Sequence, residues 1–216
     1  MAIDKNISKT GAERPARPKT LPEINEFRRL SLIEGCIQSM AEFGVGGTTV
    51  KTICEAAGAS RGLINHYYPH KEDLVAASLR HLYDSLADEV AERIAESSPK
   101  AYDRLHALPV NLFSDRVFTE RNCNAFLAFW HEVRFNAAVR SVNRDLYKGY
   151  IQRVEALFDG ASVELGVTID TRRATLGFIV LSDGLWLGMS IHDKISSPAQ
   201  AIETCRRYID RELKQE

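Results

Sequence analysis

The sequence predicts an all-α protein of about nine helices, with a three-helix head at the N-terminus and a larger helical body behind it. Three observations carry this. Apolar residues recur at three- and four-residue steps through most of the chain, the period of an amphipathic helix. No alternating pattern of useful length argues for a strand, and Val167 to Ile169 is too short to pair. The stretch from Thr48 to Lys71 reads as two short capped helices on a tight, glycine-containing turn.

Residues 1–22 are polar and carry Pro15, Pro18 and Pro22, which predicts a mobile arm. The head is assigned to residues 23–70. Its first helix shows Ile24, Phe27, Leu30, Ile33, Ile37 and Met40 on one stripe and stops at Gly44. Thr48 or Thr49 can cap a second helix, Val50 to Ala57, by accepting a bond from a free backbone N–H. Gly58 ends it, since glycine adopts the left-handed conformation cheaply. Ser60 caps a third, Arg61 to Tyr68, and Pro69 closes it.

The body, residues 71–216, begins with a long helix opened by Glu72 and Asp73, whose charge suits a helix N-terminus. Leu74, Leu79, Leu82, Leu86, Val90 and Ile94 form its stripe up to about Glu96. Ser97, Ser98 and Pro99 mark a turn. Helices follow at Ala101–Leu112, Asn122–Phe135 and Ala138–Leu165, ended by Gly166. Asp170 or Thr171 caps another to about His192. Ser197-Pro198 opens the last, with proline at its favoured first position.

Composition excludes several classes. No run of 18 or more apolar residues spans a membrane, and the N-terminus lacks the apolar core of a signal peptide. The four cysteines form no CxxC pair, which predicts reduced buried thiols and a cytoplasmic protein. The pair His131-Glu132 begins like HExxH, but Phe135 stands at the second ligand position. No GxSxG, Walker-type loop or GxGxxG occurs, and the remaining histidines lack ligand spacing. No catalytic residue, metal or cofactor is therefore expected. An enzyme would have to rely on His131, Glu132 and Asp183 as acid–base groups.

The net charge is −1, but its distribution is uneven. Residues 1–29 hold seven cationic and four acidic side chains, +3 net. Lys51, Arg61, Lys71 and two histidines follow, with Glu55 opposing them. A basic N-terminal end suits nucleic acid. On the third helix Arg61, Gly62, Asn65 and His66 face outward. Arginine grips guanine and asparagine grips adenine through paired hydrogen bonds. Thr49, Tyr67 and Lys71 are placed for phosphates, and Thr48 and Ser60 complete the candidate DNA-contacting set. The alternative is a capped helical hairpin with a solvated polar face.

The order T-T-x-x-x-I-x-x-A-A-G-A-S-R-G-x-I-x-x-Y-Y-x-x-K-x-x-L, from Thr48 through Leu74, resembles the DNA-binding head of TetR-type regulators. That resemblance implies a homodimer, a C-terminal ligand-binding and dimerisation domain, and repression of a double-stranded palindromic operator. The protein would sit on the nucleoid when bound to DNA.

In the body, Phe126, Phe129, Trp130 and Val133 share one helical face, and Asp183 and Trp186 share another. Tryptophan faces with a carboxylate suit a quaternary ammonium ligand. The same aromatics could equally be core, with Asp183 bonded to the backbone or a tyrosine. FLAFW, then Arg140, Asn143, Leu146 and Tyr147, then SDGLWL resemble the choline-responsive BetI repressors, with similarity from about Phe27 to Tyr208. This implies choline or a close quaternary amine as inducer, and control of genes that convert choline to glycine betaine. Gly188 and Met189 depart from the pattern, as do Glu132 and Arg134 beside FLAFW. An apolar effector is the rival ligand class, and a constitutive DNA-structuring protein a further alternative. The last two helices are the expected dimer interface, through a four-helix bundle across a two-fold axis.

Overall fold

The computed structural model describes residues 20–192 and 195–214, and among these residues it contains nine helices and no strand. Of the expected arm, residues 1–19 lie outside the described residues. Leu21 and Pro22 belong instead to the first helix, α1 (Leu21–Gly47), with Thr20 as its N-cap. The Thr20 side chain accepts from the Glu23 N–H, and the Glu23 carboxylate accepts from the Thr20 N–H at 3.1 Å. This reciprocal pair starts the helix before Pro22 can end an arm. Gly44, at φ 61°, kinks the far end, where the Thr48 hydroxyl donates to the Gly44 carbonyl at 2.6 Å.

Helices α2 (Val50–Ala57) and α3 (Arg61–Tyr67) form the helix-turn-helix. Thr49, rather than Thr48, caps α2, and Gly58 ends it at φ 60°. The Ser60 hydroxyl accepts from the Leu63 N–H at 3.3 Å and so starts α3. The body comprises α4 (Lys71–Ser97), α5 (Ala101–Leu112), α6 (Glu120–Phe135), α7 (Ala137–Leu165), α8 (Thr171–Ile191) and α9 (Pro198–Lys214). Side-chain caps position four of these, among them α9, where the Ser197 hydroxyl accepts from the Gln200 N–H. Thr119 accepts from the Asn122 N–H, Asn136 from those of Ala138 and Val139, and Asp170 from that of Arg173.

Two buried cores result. One holds Leu32, Ile37, Ile53, Ile64, Leu74 and Leu79 together with Ala125, Ala128 and Phe129 of α6. The other lies wholly in the body and includes Phe158, Phe178, Ile179 and Ile209. The boundary expected at residue 70 thus divides the chain but not the packing, because α4 and α6 both enter the head's core. Lys71 Nζ donates to the Thr48 carbonyl, tying the start of α4 to the turn between α1 and α2. Arg121 of α6 pairs with Glu34 of α1 at 2.7 Å, and His81 of α4 meets the same carboxylate at 3.2 Å.

All four cysteines are free and buried. Burial pushes the Cys36 and Cys205 thiols up to about 11, so almost none of either is thiolate at neutral pH. Helix α8, with a window of mean hydropathy 1.5, is long and apolar enough to cross a membrane by length and composition. Here it buries Ala174, Phe178, Ile179 and Ser182 against the body. Its other face leaves Leu176, Val180, Leu187 and Ile191 exposed.

Helix α1 crosses α2 at close range over Gly35. A Cβ there would stand 2.6 Å from Ala57 Cβ and 2.9 Å from the Ile53 carbonyl oxygen. Gly35→Ala must therefore push the helices apart, at a cost of about 1–3 kcal/mol. The expected result is a lower urea midpoint with the native helical signal retained before the transition.

Candidate effector cavity and DNA-facing helix

Helices α4, α5, α6, α7 and α8 enclose a cavity of about 460 Å³. At one end Phe126 and Trp130 of α6 meet Trp186 of α8. The Trp130 and Trp186 ring centroids lie 5.9 Å apart and the Phe126 and Trp186 centroids 5.5 Å apart, both edge to face. Phe118 backs Trp186 from outside at 5.4 Å. Tyr83, Tyr147 and Tyr150 complete this aromatic end, and Asp183 points into it. The sequence contains two tryptophans, and both line this cavity.

Asp183 accepts a hydrogen bond from the Tyr147 hydroxyl at 2.8 Å. Burial raises its pKa above the ordinary carboxylate range, and the Tyr147 bond only partly offsets this. Burial and the neighbouring Asp183 charge together push Tyr147 and Tyr150 well above the usual phenol range. Burial does the same to Tyr83, partly offset by Arg153. The phenols therefore stay neutral donors, and Asp183 is the acidic side chain among the cavity-lining residues. A partly desolvated carboxylate beside aromatic rings favours a cation whose surface is itself weakly hydrated.

The cavity brings together four of the five residues singled out in the sequence: Phe126, Trp130, Asp183 and Trp186. Phe129 is the exception. It is fully buried in the head's core, on the face of α6 that packs against α1. Residues 126, 129, 130 and 133 were placed on one stripe, but 129 and 130 are successive and point about a quarter-turn apart. The stripe is split between two neighbours. The tyrosines were not singled out for the cage, although Tyr147 and Tyr150 share an i, i+3 face and Tyr83 follows Leu79 and Leu82 on the stripe of α4. His131 and Glu132 do not line the cavity.

On the head, Arg61, Gly62, Asn65 and His66 are exposed together on α3. Tyr67 is half-buried, and its hydroxyl donates to Asn25 of α1 at 2.8 Å. Thr49 and Ser60 are exposed caps at the starts of α2 and α3. Thr48 is only 1 % exposed, and both its hydroxyl and its carbonyl serve internal bonds. It shapes the turn and has no surface to offer a phosphate. Lys71 is half-buried, its ammonium held on the Thr48 carbonyl.

A helix-turn-helix head on a helical body with an aromatic-ended cavity defines a ligand-responsive transcriptional regulator of the TetR class. The family profile described as bacterial regulatory proteins of the tetR family matches residues 32–78. The profile for the C-terminal domain of BetI-type transcriptional repressors matches residues 101–214. The chain belongs to the BetI-type repressors of the TetR family. It is 29 % identical over 196 residues to the HTH-type transcriptional regulator BetI of Serratia proteamaculans, covering 88 % of this chain and 95 % of that one. A transcriptional regulator of Pseudomonas aeruginosa PAO1 superposes with a TM-score of 0.79 at 28 % identity, covering 88 % of this chain and 92 % of the other. A Saccharomonospora viridis regulator solved in complex with choline shares the fold, with a TM-score of 0.69 at 19 % identity over 87 % of this chain and 96 % of that one. Members of this family are regulators, not enzymes. They bind operator DNA, usually as dimers and under control of small-molecule effectors, and work in the bacterial cytoplasm.

Gly62 lies inside α3, yet a Cβ built there would meet nothing closer than the Ser60 hydroxyl at 3.9 Å. The protein itself has room for a side chain. Gly62→Ala should stabilise the free protein by about 0.5–1 kcal/mol, the usual helical penalty of glycine. Chemical denaturation measures this, and a simultaneous loss of operator affinity would locate the need for glycine in the DNA complex.

Proposed function

We propose that this repressor releases its operator on binding choline or a closely related quaternary amine, and that it controls genes converting choline to glycine betaine. The observation that supports this most directly is the half-buried Asp183 carboxylate beside Trp130, Trp186, Phe126 and the tyrosines. Each ring face adds about 0.5–2 kcal/mol toward a desolvated cation, and the carboxylate balances its charge. A neutral apolar effector would instead leave that carboxylate without a counter-charge. The BetI name of the relatives and the choline bound to the Saccharomonospora viridis regulator support the same reading. No cofactor takes part; the amine is an effector that leaves unchanged.

The path from cage to DNA runs through α6. Phe126 and Trp130 face the ligand, while Ala125, Ala128 and Phe129 pack in the head's core. A ligand that draws the cage rings inward shifts α6 and, with it, the head. The effect requires different affinities of the ligand for the two arrangements, typically a coupling of about 1–3 kcal/mol.

Dimerisation sets the spacing of two heads over a palindromic operator, with half-sites about 34–36 Å apart or a multiple of this. Leu176, Val180, Gly184, Leu187 and Ile191 form one exposed stripe on α8. A Cβ on Gly184 would have no neighbour within 4 Å, leaving room for a second subunit. The outward side of α9 is charged, with the Glu203–Arg207 pair. The stripe of α8 is thus the centre of the proposed interface and α9 its polar flank. In each head Arg61, Asn65 and His66 of α3 would read base edges, with Thr49, Ser60 and Tyr67 at its margins.

Isothermal titration with choline, with primary-amine and neutral analogues as controls, tests the effector. Trp186→Ala should weaken choline binding at least tenfold while leaving operator binding in place; an unchanged affinity would remove Trp186 from the cage.

The raised pKa of Asp183 gives two signs. Folding favours its protonated form, so its contribution to stability is present at low pH and lost as pH rises through the raised value. Asp183→Asn should therefore raise the melting temperature of the empty protein at neutral pH but not in acid, and abolish the stabilisation by choline. Choline affinity of the native protein should fall as pH drops through that same value.

Val180→Glu places a charge in the middle of the α8 stripe. Sedimentation of this variant is expected to show a monomer, and its operator affinity should fall by more than tenfold. A stable dimer would move the interface elsewhere.

A further inference from the structure

The cavity is much longer than its aromatic end. On α4 its wall runs from Tyr83 to Ala95, roughly 18 Å at 1.5 Å per residue. On α7 it runs from Asn143 to Leu157, roughly 21 Å. The two walls run side by side in the same sense. Tyr83, Tyr147 and Tyr150 all feel the Asp183 charge and so mark one end. At the other, the Ala101 N–H at the start of α5 bonds to Glu164 beyond the end of the α7 wall, and Arg104 to the Ser98 carbonyl just past α4. Between these ends the lining is mostly aliphatic, notably Leu86, Val90, Ile94, Leu108, Val154 and Leu157, with the Arg153 guanidinium near Tyr83 and Arg104 at the far end. Ala87, Ala91 and Ala95, one turn apart on α4, line the same arm, and their small side chains leave its width free.

Choline is a small ion and fills only the cage. The remaining arm is largely apolar apart from Arg153 and Arg104, begins beside the cage and extends past any ligand of choline's length. Resting on the proposed quaternary-amine reading, we infer that this site takes an amphiphile: a quaternary ammonium head against Asp183, Trp130 and Trp186, and an extended hydrocarbon tail along α4 toward the α4–α5 turn. The carboxylate at one end fixes the orientation, because a tail-first ligand would place its cation among aliphatic side chains and leave Asp183 unpaired. An anionic head is repelled by Asp183 at the cage, and one turned toward Arg104 at the far end would leave Asp183 without a cation. A neutral one gains from the arm alone.

The test uses the full-length protein and a series of alkyltrimethylammonium ions, from choline and butyl to octyl and decyl, below their micelle concentrations. Octyl sulfate and octanol are the controls. Both tryptophans lie at the head site, so their fluorescence reports head occupancy directly, and calorimetry gives the affinity. The expected result is tightening with each methylene that enters the arm, up to about fourfold per group, the equivalent of about 0.8 kcal/mol. Octyl sulfate should bind far more weakly than the octyl ammonium ion. Ala91→Phe, which narrows the arm without touching the cage, should collapse the ratio of octyl to choline affinity several-fold or more. If choline binds but longer tails bring no gain, or octyl sulfate binds as well as the cation, or Ala91→Phe leaves the ratio intact, the amphiphile assignment is overturned and the choline reading stands. If neither choline nor any alkyl homologue binds, both readings fall together.

Discussion

The two faces of α6 are the constraint around which this molecule is arranged. Phe129 is sealed into the core that holds the DNA-binding head, and Trp130, the next residue, stands in the wall of the body's cavity. A rigid helix cannot move one without the other. The Arg121–Glu34 pair and the His81 contact to the same carboxylate fasten α6, α1 and α4 at the near end. At the far end Arg140 of α7 donates to the Val133 and Arg134 carbonyls, closing the last turn of α6. The helix is thus gripped at both ends while its middle is shared between two cores. Packed interiors do not deform smoothly, so a displacement of α6 reaches the head as a discrete repacking.

Much of the fold was legible because the local signals agreed with one another. Thr49, Gly58, Ser60, Asp170 and Gly166 each sit at the helix end that their chemistry favours. The start of α1 was misplaced because three nearby prolines outweighed the Thr20–Glu23 capping pair, although Pro22 is tolerated in a first turn. The cavity was only half legible. Spacing put Trp130 and Phe129 on a common stripe, but which neighbour each side chain meets depends on how α1 and α8 pack, and periodicity along one helix does not contain that. Tyr83 lies about a hundred residues from Asp183 in sequence and nearby only in space. Asp183 bonds to Tyr147, the partner a core role expects, and also lines the cavity.

The departures from the BetI pattern take on a physical meaning in this setting. Glu132 and Arg134 lie outside the cavity; Glu132 is half-buried on the side of α6 toward Cys36 of α1, and Arg134 is exposed. Arg134 contributes its carbonyl to the Arg140 clamp, a role any residue could fill. Gly188 and Met189, following the second tryptophan, likewise do not appear in the cavity wall. Asp183, three phenols, Asn143 and Arg153 are therefore the polar groups near the aromatic end of the cavity, and the small side chains of α4 leave its width open.

The apolar stripe on α8 has a consequence for how such a regulator responds to its own abundance. A chain that exposes Leu176, Val180, Leu187 and Ile191 has a reason to avoid existing alone, and family members usually engage DNA in pairs. When assembly precedes binding, dilution acts on both steps, and below the dimer dissociation constant operator occupancy scales with the square of the protein concentration. Daughter cells that inherit slightly unequal numbers of copies would then differ more in gene silencing than in protein content. A dimer interface built on this stripe would amplify copy-number noise at low expression and fall silent as an amplifier at high expression.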